Sequence, residues 1–148
     1  MEQPIRPLGL TLMTVLMLMS VAACSLGGGG SRQGFPMLDQ AVADVNPGLL
    51  GQIAYDGKQG TAKPLSQGPT RYILVIVSGD RDTALRAVRD RLSAARFRPI
   101  NSLAWRRVEE KLTVLVYAEL FNSGQKPPKG HSVPAGHTGV WFNFNTGT

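Results

Sequence analysis

The chain has 148 residues and a mass of 15.9 kDa, room for one ordinary domain. Apolar residues make up 43% and charged residues 18%, which excludes a chain disordered throughout, and a single cysteine excludes any intramolecular disulfide. Lysine and arginine number 16 against 10 acidic residues, a net charge of +6 with a pI near 10.0, so the surface is drawn to anionic lipid head groups or acidic envelope polymers.

The first seven residues form a short head whose side-chain cation is Arg6. From Leu8 to Ala23 the chain is apolar apart from Gly9, Thr11, Thr14 and Ser20, and it exits through small residues. A charged head, an apolar middle and a small-residue exit describe a secretory signal peptide over 1–23. Its removal takes Glu2 and Arg6 together, so the remainder keeps the same net charge.

Val21-Ala22-Ala23-Cys24 resembles the lipobox of bacterial lipoprotein precursors, an aliphatic residue and two small ones before a cysteine. The resemblance covers about the first 30 residues and implies nothing about the domain behind them. It implies cleavage between Ala23 and Cys24, and a diacylglyceryl group on the Cys24 sulfur. A small side chain at Ala23 suits a protease cleft, and a thiol at the membrane surface is a soft nucleophile for lipid transfer. Stable anchoring takes more than one acyl chain, which a diacyl group supplies at about 0.8 kcal/mol per buried CH2.

Two other readings stay open. Cys24 as a buried core thiol has no core nearby. An uncleaved span over Pro7–Gly30 has about 16 apolar residues where about 20 are needed, and Gly27–Gly30 breaks its exit turn. Residues 24–34 then read as the lipidated cysteine and a Gly/Ser tether, whose last ten residues span about 16–19 Å on average.

A single basic domain is expected over 35–148. Pro36, Met37, Leu38, Ala41, Val42 and Val45 have helical spacing, stopped by Asn46-Pro47-Gly48. A short strand over Leu49–Tyr55, a turn at Asp56-Gly57 and a loop over 57–70 follow.

The best-defined part is 71–148. The apolar run Tyr72–Val77 ending in Ser78-Gly79 reads as a buried strand. Asp80 or Asp82 caps a helix over 81–96, with Leu85, Val88, Leu92 and Ala95 as its apolar stripe, and Phe97-Arg98-Pro99 ends it. Strands over Leu103–Val108 and Leu112–Leu120 are joined by a turn at Glu109–Lys111. In the second, Leu112, Val114, Val116, Ala118 and Leu120 share one face and Thr113, Leu115, Tyr117 and Glu119 the other. A Gly/Pro loop over 122–138 leads to a strand over Gly139–Asn145. The class is α+β: a small antiparallel or mixed sheet with one amphipathic helix packed on it and a second, short N-terminal helix.

The candidate chemistry is thin. His131 and His137 in GHSVPAGH lie on the expected loop, but a stable metal site takes three or four ligands, so no metal or cofactor is assigned. No nucleophile elbow exists, and Ser78-Gly79-Asp80 is explained by helix capping. No catalytic residue is assigned. Arg86, Arg89 and Arg96 project from one side of the expected helix and are candidates for contact with an anionic surface. The cations are spread out, without a compact block or interleaved aromatics, so nucleic acid is not an expected partner. Trp105 and Trp141 suit a contact surface or the packing of a small sheet.

The expectation is a membrane-anchored cell-envelope lipoprotein on the extracytoplasmic face, in the outer membrane if the cell has one. It would be a non-enzymatic binding or accessory module held by diacylglyceryl-cysteine near an envelope protein or anionic polymer. The alternative is an exported ligand-binding or hydrolytic protein using the 121–138 loop as a lid.

Overall fold

A computed structural model describes residues 34–60, 68–110 and 112–147. The expected signal peptide, Ala23, Cys24 and all of the expected tether but Gly34 lie outside the described residues. Helix α1 (Gly34–Val45) leads through a 3-10 turn at Pro47–Leu49 to strand β1 (Gln52–Gln59). Then come β2 (Thr70–Ser78), helix α2 (Arg81–Ala94), β3 (Arg98–Asn101), β4 (Ala104–Val108), β5 (Thr113–Phe121) and β6 (His137–Gly147).

The strands form one sheet in the order β1-β2-β6-β5-β4-β3, with every neighbour antiparallel. Helix α2 therefore carries the chain from β2 to the far edge. Strands β3, β4 and β5 then step back, and β6 closes the gap between β5 and β2. The α+β class holds, and the sheet is antiparallel with two helices on it.

Period-2 alternation divides the sheet into two faces. One carries Ile73, Val75, Val77, Val114, Val116, Ala118, Leu120, Val140, Phe142 and Phe144, all buried. Against it lie Leu38, Ala41 and Val45 of α1, and Ala84, Val88 and Leu92 of α2, at one-face helical spacing. Each large apolar side chain buried here contributes about 1.5–3 kcal/mol. The stripe of α2 begins at Ala84 rather than Leu85, which is half-buried beside it. Asp80 caps this helix, its side chain accepting from the Thr83 amide at 2.8 Å.

Four expectations are corrected. Asp56-Gly57 is no turn but lies inside β1, where Asp56 faces Ile73 and Gly57 faces Tyr72. Helix α2 ends at Ala94, and Arg96 is outside it with φ 64°. Strand β3 was not expected, because Pro99 reads as a breaker; proline is tolerated there because β3 is an edge strand paired only with β4. His137 opens β6 and pairs with Ser78, so the loop ends at Gly136.

Candidate functional site

Three arginines from outside α1 bind it to the rest of the domain. On β2, Arg71 forms ion pairs with Asp39 of α1 and, at 2.5 Å, with Asp56 of β1. Arg91 of α2 donates twice to the carbonyl of Val45. From β4, Arg107 reaches Asp44 at 2.8 Å, Glu109 at 2.6 Å and the Ala95 carbonyl at 3.0 Å, with its guanidinium 4.8 Å from the Phe97 ring centroid. Burial alone would raise the pKa of Asp39, but hydrogen bonds from Lys58 and Arg71 outweigh it and hold the carboxyl below its usual range.

The second sheet face carries no described helix. The register sets Tyr55, Leu74, Trp141 and Glu119 in one row across β1, β2, β6 and β5, and Gly57, Tyr72, Asn143, Tyr117 and Ala104 in the next. Trp141 stacks on Tyr55 with centroids 5.6 Å apart and on Tyr72 at 5.5 Å. A Cβ at Gly57 would lie 2.2 Å from the Tyr55 hydroxyl, so the glycine leaves the space that lets this ring lie along its own strand. Asn145 donates to Asn143 at 3.2 Å in the adjoining row. Across β1, β2 and β6 this face presents aromatic rings, amides and hydroxyls without a charge, and Tyr117 is 44% exposed beside them.

The loop over 122–136 covers only one end of that face. Pro127 and Val133 are buried, and Val133 lies 2.8 Å from where a Cβ on Gly139 would stand. Val133 also exchanges backbone hydrogen bonds with Gly124 and Gln125, and Ser123 donates to the His137 carbonyl at 3.0 Å. This segment is a packed strap over Leu74 and Gly139. His131 on it is exposed, and the His137 ring Nδ1 lies 2.9 Å from the Ala135 carbonyl. Among the described residues no cluster of three or more His, Cys, Asp or Glu has metal-site geometry.

The two tryptophans divide between the faces. Trp105 is buried on the helix-covered face, and Trp141 stands half-buried on the open one. The candidate arginines divide as well. Arg86 donates to Thr83 at 3.2 Å on the exposed side of α2, and Arg89 borders a shallow cleft with Ser93, Pro99 and Trp105.

Arg96 belongs to a different place, an open groove of about 850 Å³ at the C-terminal end of α2. Beside it there stand Arg98, Arg106 and Arg107, with Asp44 and Glu109 as the groove's carboxylates. The sequence marks Arg96 but not Arg98 or Arg106, because their meeting depends on the unexpected strand β3.

Compared with protein-family models, curated proteins and solved structures, the chain matches none of them.

Proposed function

We propose that this chain is a cell-envelope lipoprotein whose domain is a non-enzymatic docking module for another envelope protein. It is exported, cut before Cys24 and held by diacylglyceryl-cysteine on the extracytoplasmic face of the cell membrane, or in the outer membrane of a cell with two. The anchoring half rests on Val21-Ala22-Ala23-Cys24 and the glycine tether that follows. No described helix is long and apolar enough to cross a membrane. Helix α1 begins at the last tether residue and is tied down by Arg71, Arg91 and Arg107, an arrangement that suits a domain hung from its N-terminus.

One observation carries the docking half: the aromatic and amide face around Trp141, without a charge across β1, β2 and β6 and bordered by Glu119 on β5, left uncovered by either described helix. Tyrosine and tryptophan are enriched and charge is depleted at the centres of protein interfaces, and such anchors dominate their energetics. A face of this composition fits a protein partner better than a strongly anionic polymer.

The test joins two measurements in cells. Intact mass of the membrane fraction is expected to show a chain lacking residues 1–23 and carrying acyl mass, absent for Cys24→Ala. A photo-crosslinking residue in place of Tyr117 is expected to capture one envelope protein, and Trp141→Ala to reduce the adduct at least tenfold. A full-length unacylated chain in the membrane would overturn the anchor; an adduct indifferent to Trp141→Ala would overturn the docking face.

A further inference from the structure

The groove at the end of α2 is built at the expense of two local preferences. The helix closes in a Schellman motif, with Phe97 N–H donating to the Leu92 carbonyl and Arg96 N–H to the Ser93 carbonyl, each at 2.9 Å. The left-handed position of this motif favours glycine, yet it holds Arg96 at φ 64°. Across the β3–β4 ladder, Arg98 stands directly opposite Arg106, a like-charge pair that destabilises a sheet. Each departure places an arginine on the lining of the same groove. Local rules broken together at one spot mark a functional site more often than a structural one.

The charges in the groove are not internally balanced. Arg107 engages both carboxylates, Asp44 and Glu109. Arg96, Arg98 and Arg106 are exposed, and among the described residues none has a carboxylate within ion-pair distance. We infer that these three arginines form a binding site for a phosphate-bearing ligand. The guanidinium fork matches phosphate oxygens in bidentate fashion. A lone carboxylate needs only one arginine, as Glu109 with Arg107 Nε illustrates, whereas three arginines lining one groove suit the greater charge and oxygen count of linked phosphates. The site lies on the β3–β4 side of the sheet, away from the aromatic rings of β1, β2 and β6, and does not depend on the docking reading.

The experiment is calorimetric titration of inorganic tripolyphosphate into the full mature protein held by its anchor in neutral phosphatidylcholine vesicles. Binding is expected to weaken with salt, and to fall about tenfold or more in Arg96→Gly and in Arg106→Gln. Each variant is expected to melt higher than wild type, Arg96→Gly by about 4 °C, because it removes a local conflict. Loss of affinity together with a gain in stability separates a binding role from a structural one. Arg86→Gln with Arg89→Gln is the control and is expected to bind as wild type does.

Repeating the titration in vesicles containing phosphatidylglycerol identifies the source of the phosphate. Loss of the wild-type tripolyphosphate signal in those vesicles assigns the site to a lipid head group; an undiminished signal assigns it to a free phosphate chain. Either supports the site. No binding by wild type in neutral vesicles, or equal binding by Arg96→Gly and Arg106→Gln, overturns it. Failure of the anchor appears separately, as protein that does not stay with the vesicles.

Discussion

Arg91 donates to the carbonyl oxygen of Val45 from Nε at 3.0 Å and from Nη2 at 2.7 Å, so a side chain of α2 closes the last turn of α1. Helix α1 has no basic residue in its own last turn. A cation supplied across 46 positions of sequence satisfies an orphan carbonyl and opposes the negative end of the helix dipole.

Removing that cap is expected to loosen α1 more than the sheet. Arg91→Met should cost about 1–2 kcal/mol of unfolding free energy and raise amide exchange across Gly34–Val45, with β5 and β6 protected as before. Arg91→Lys keeps the charge and loses the fork, so it should recover only part of the loss. Denaturant midpoints and hydrogen exchange measure both.

The cluster around Arg71 makes an asymmetric prediction. Its side chain is 10% exposed, while those of Asp39 and Asp56 are 40% and 45% exposed. Replacing both aspartates by asparagine strands a nearly buried cation and should cost about 3 kcal/mol. Arg71→Met leaves two carboxylates that water can reach and removes a buried Nε that has no hydrogen-bond partner, so its cost should be about 1 kcal/mol. Equal losses in chemical denaturation would contradict this.

The same cluster shapes the acid limb of stability. The folded-state pKa of Asp39 lies below the usual 3.8, because the hydrogen bonds from Lys58 and Arg71 outweigh the opposing effect of burial. A depressed carboxylate stabilises fully above its unfolded value and loses that contribution as pH falls through the folded one. Wild type is therefore expected to lose more stability than Asp39→Asn as the pH falls below about 4. Asp80, lowered by the Thr83 amide, titrates in the same direction, so the variant flattens the limb without abolishing it.

Gly57 controls the aromatic cluster through the space beside Tyr55. Gly57→Ala places a methyl where the Tyr55 hydroxyl end lies, and the ring must leave its stacked position on Trp141. Near-UV circular dichroism is expected to lose the signal of that stack, and stability to fall by about 0.5–1.5 kcal/mol. An unchanged spectrum would show that the ring keeps its seat.

Much of the sheet is legible from alternation alone. The two sets in β5, Val114–Leu120 against Thr113–Glu119, and those in β6, Val140, Phe142 and Phe144 against Trp141, Asn143 and Asn145, sort onto the faces that the register confirms. That signal is strong because one face is buried by helices and a one-residue slip would expose it. Strand β1 was not legible past Tyr55, since Asp-Gly is a turn signal wherever strands do not override it. Here Asp56 is drawn onto β1 by Arg71, fifteen positions away, and Gly57 by the ring it accommodates.

The sequence by itself determined what is written in contiguous residues: the start of α2 at Asp80 or Asp82, and the period-2 alternation of the strands. Each depends on neighbours within a few positions, where covalent geometry dictates which side chains share a face. The tertiary structure alone decided which face the described helices leave open, that Trp105 is core while Trp141 is half-buried, and that Arg96 parts from Arg86 and Arg89 to line a groove with Arg98 and Arg106. Those outcomes turn on strand order and on where a helix stops, which are set by the whole core finding its closest packing and not by any local run of residues.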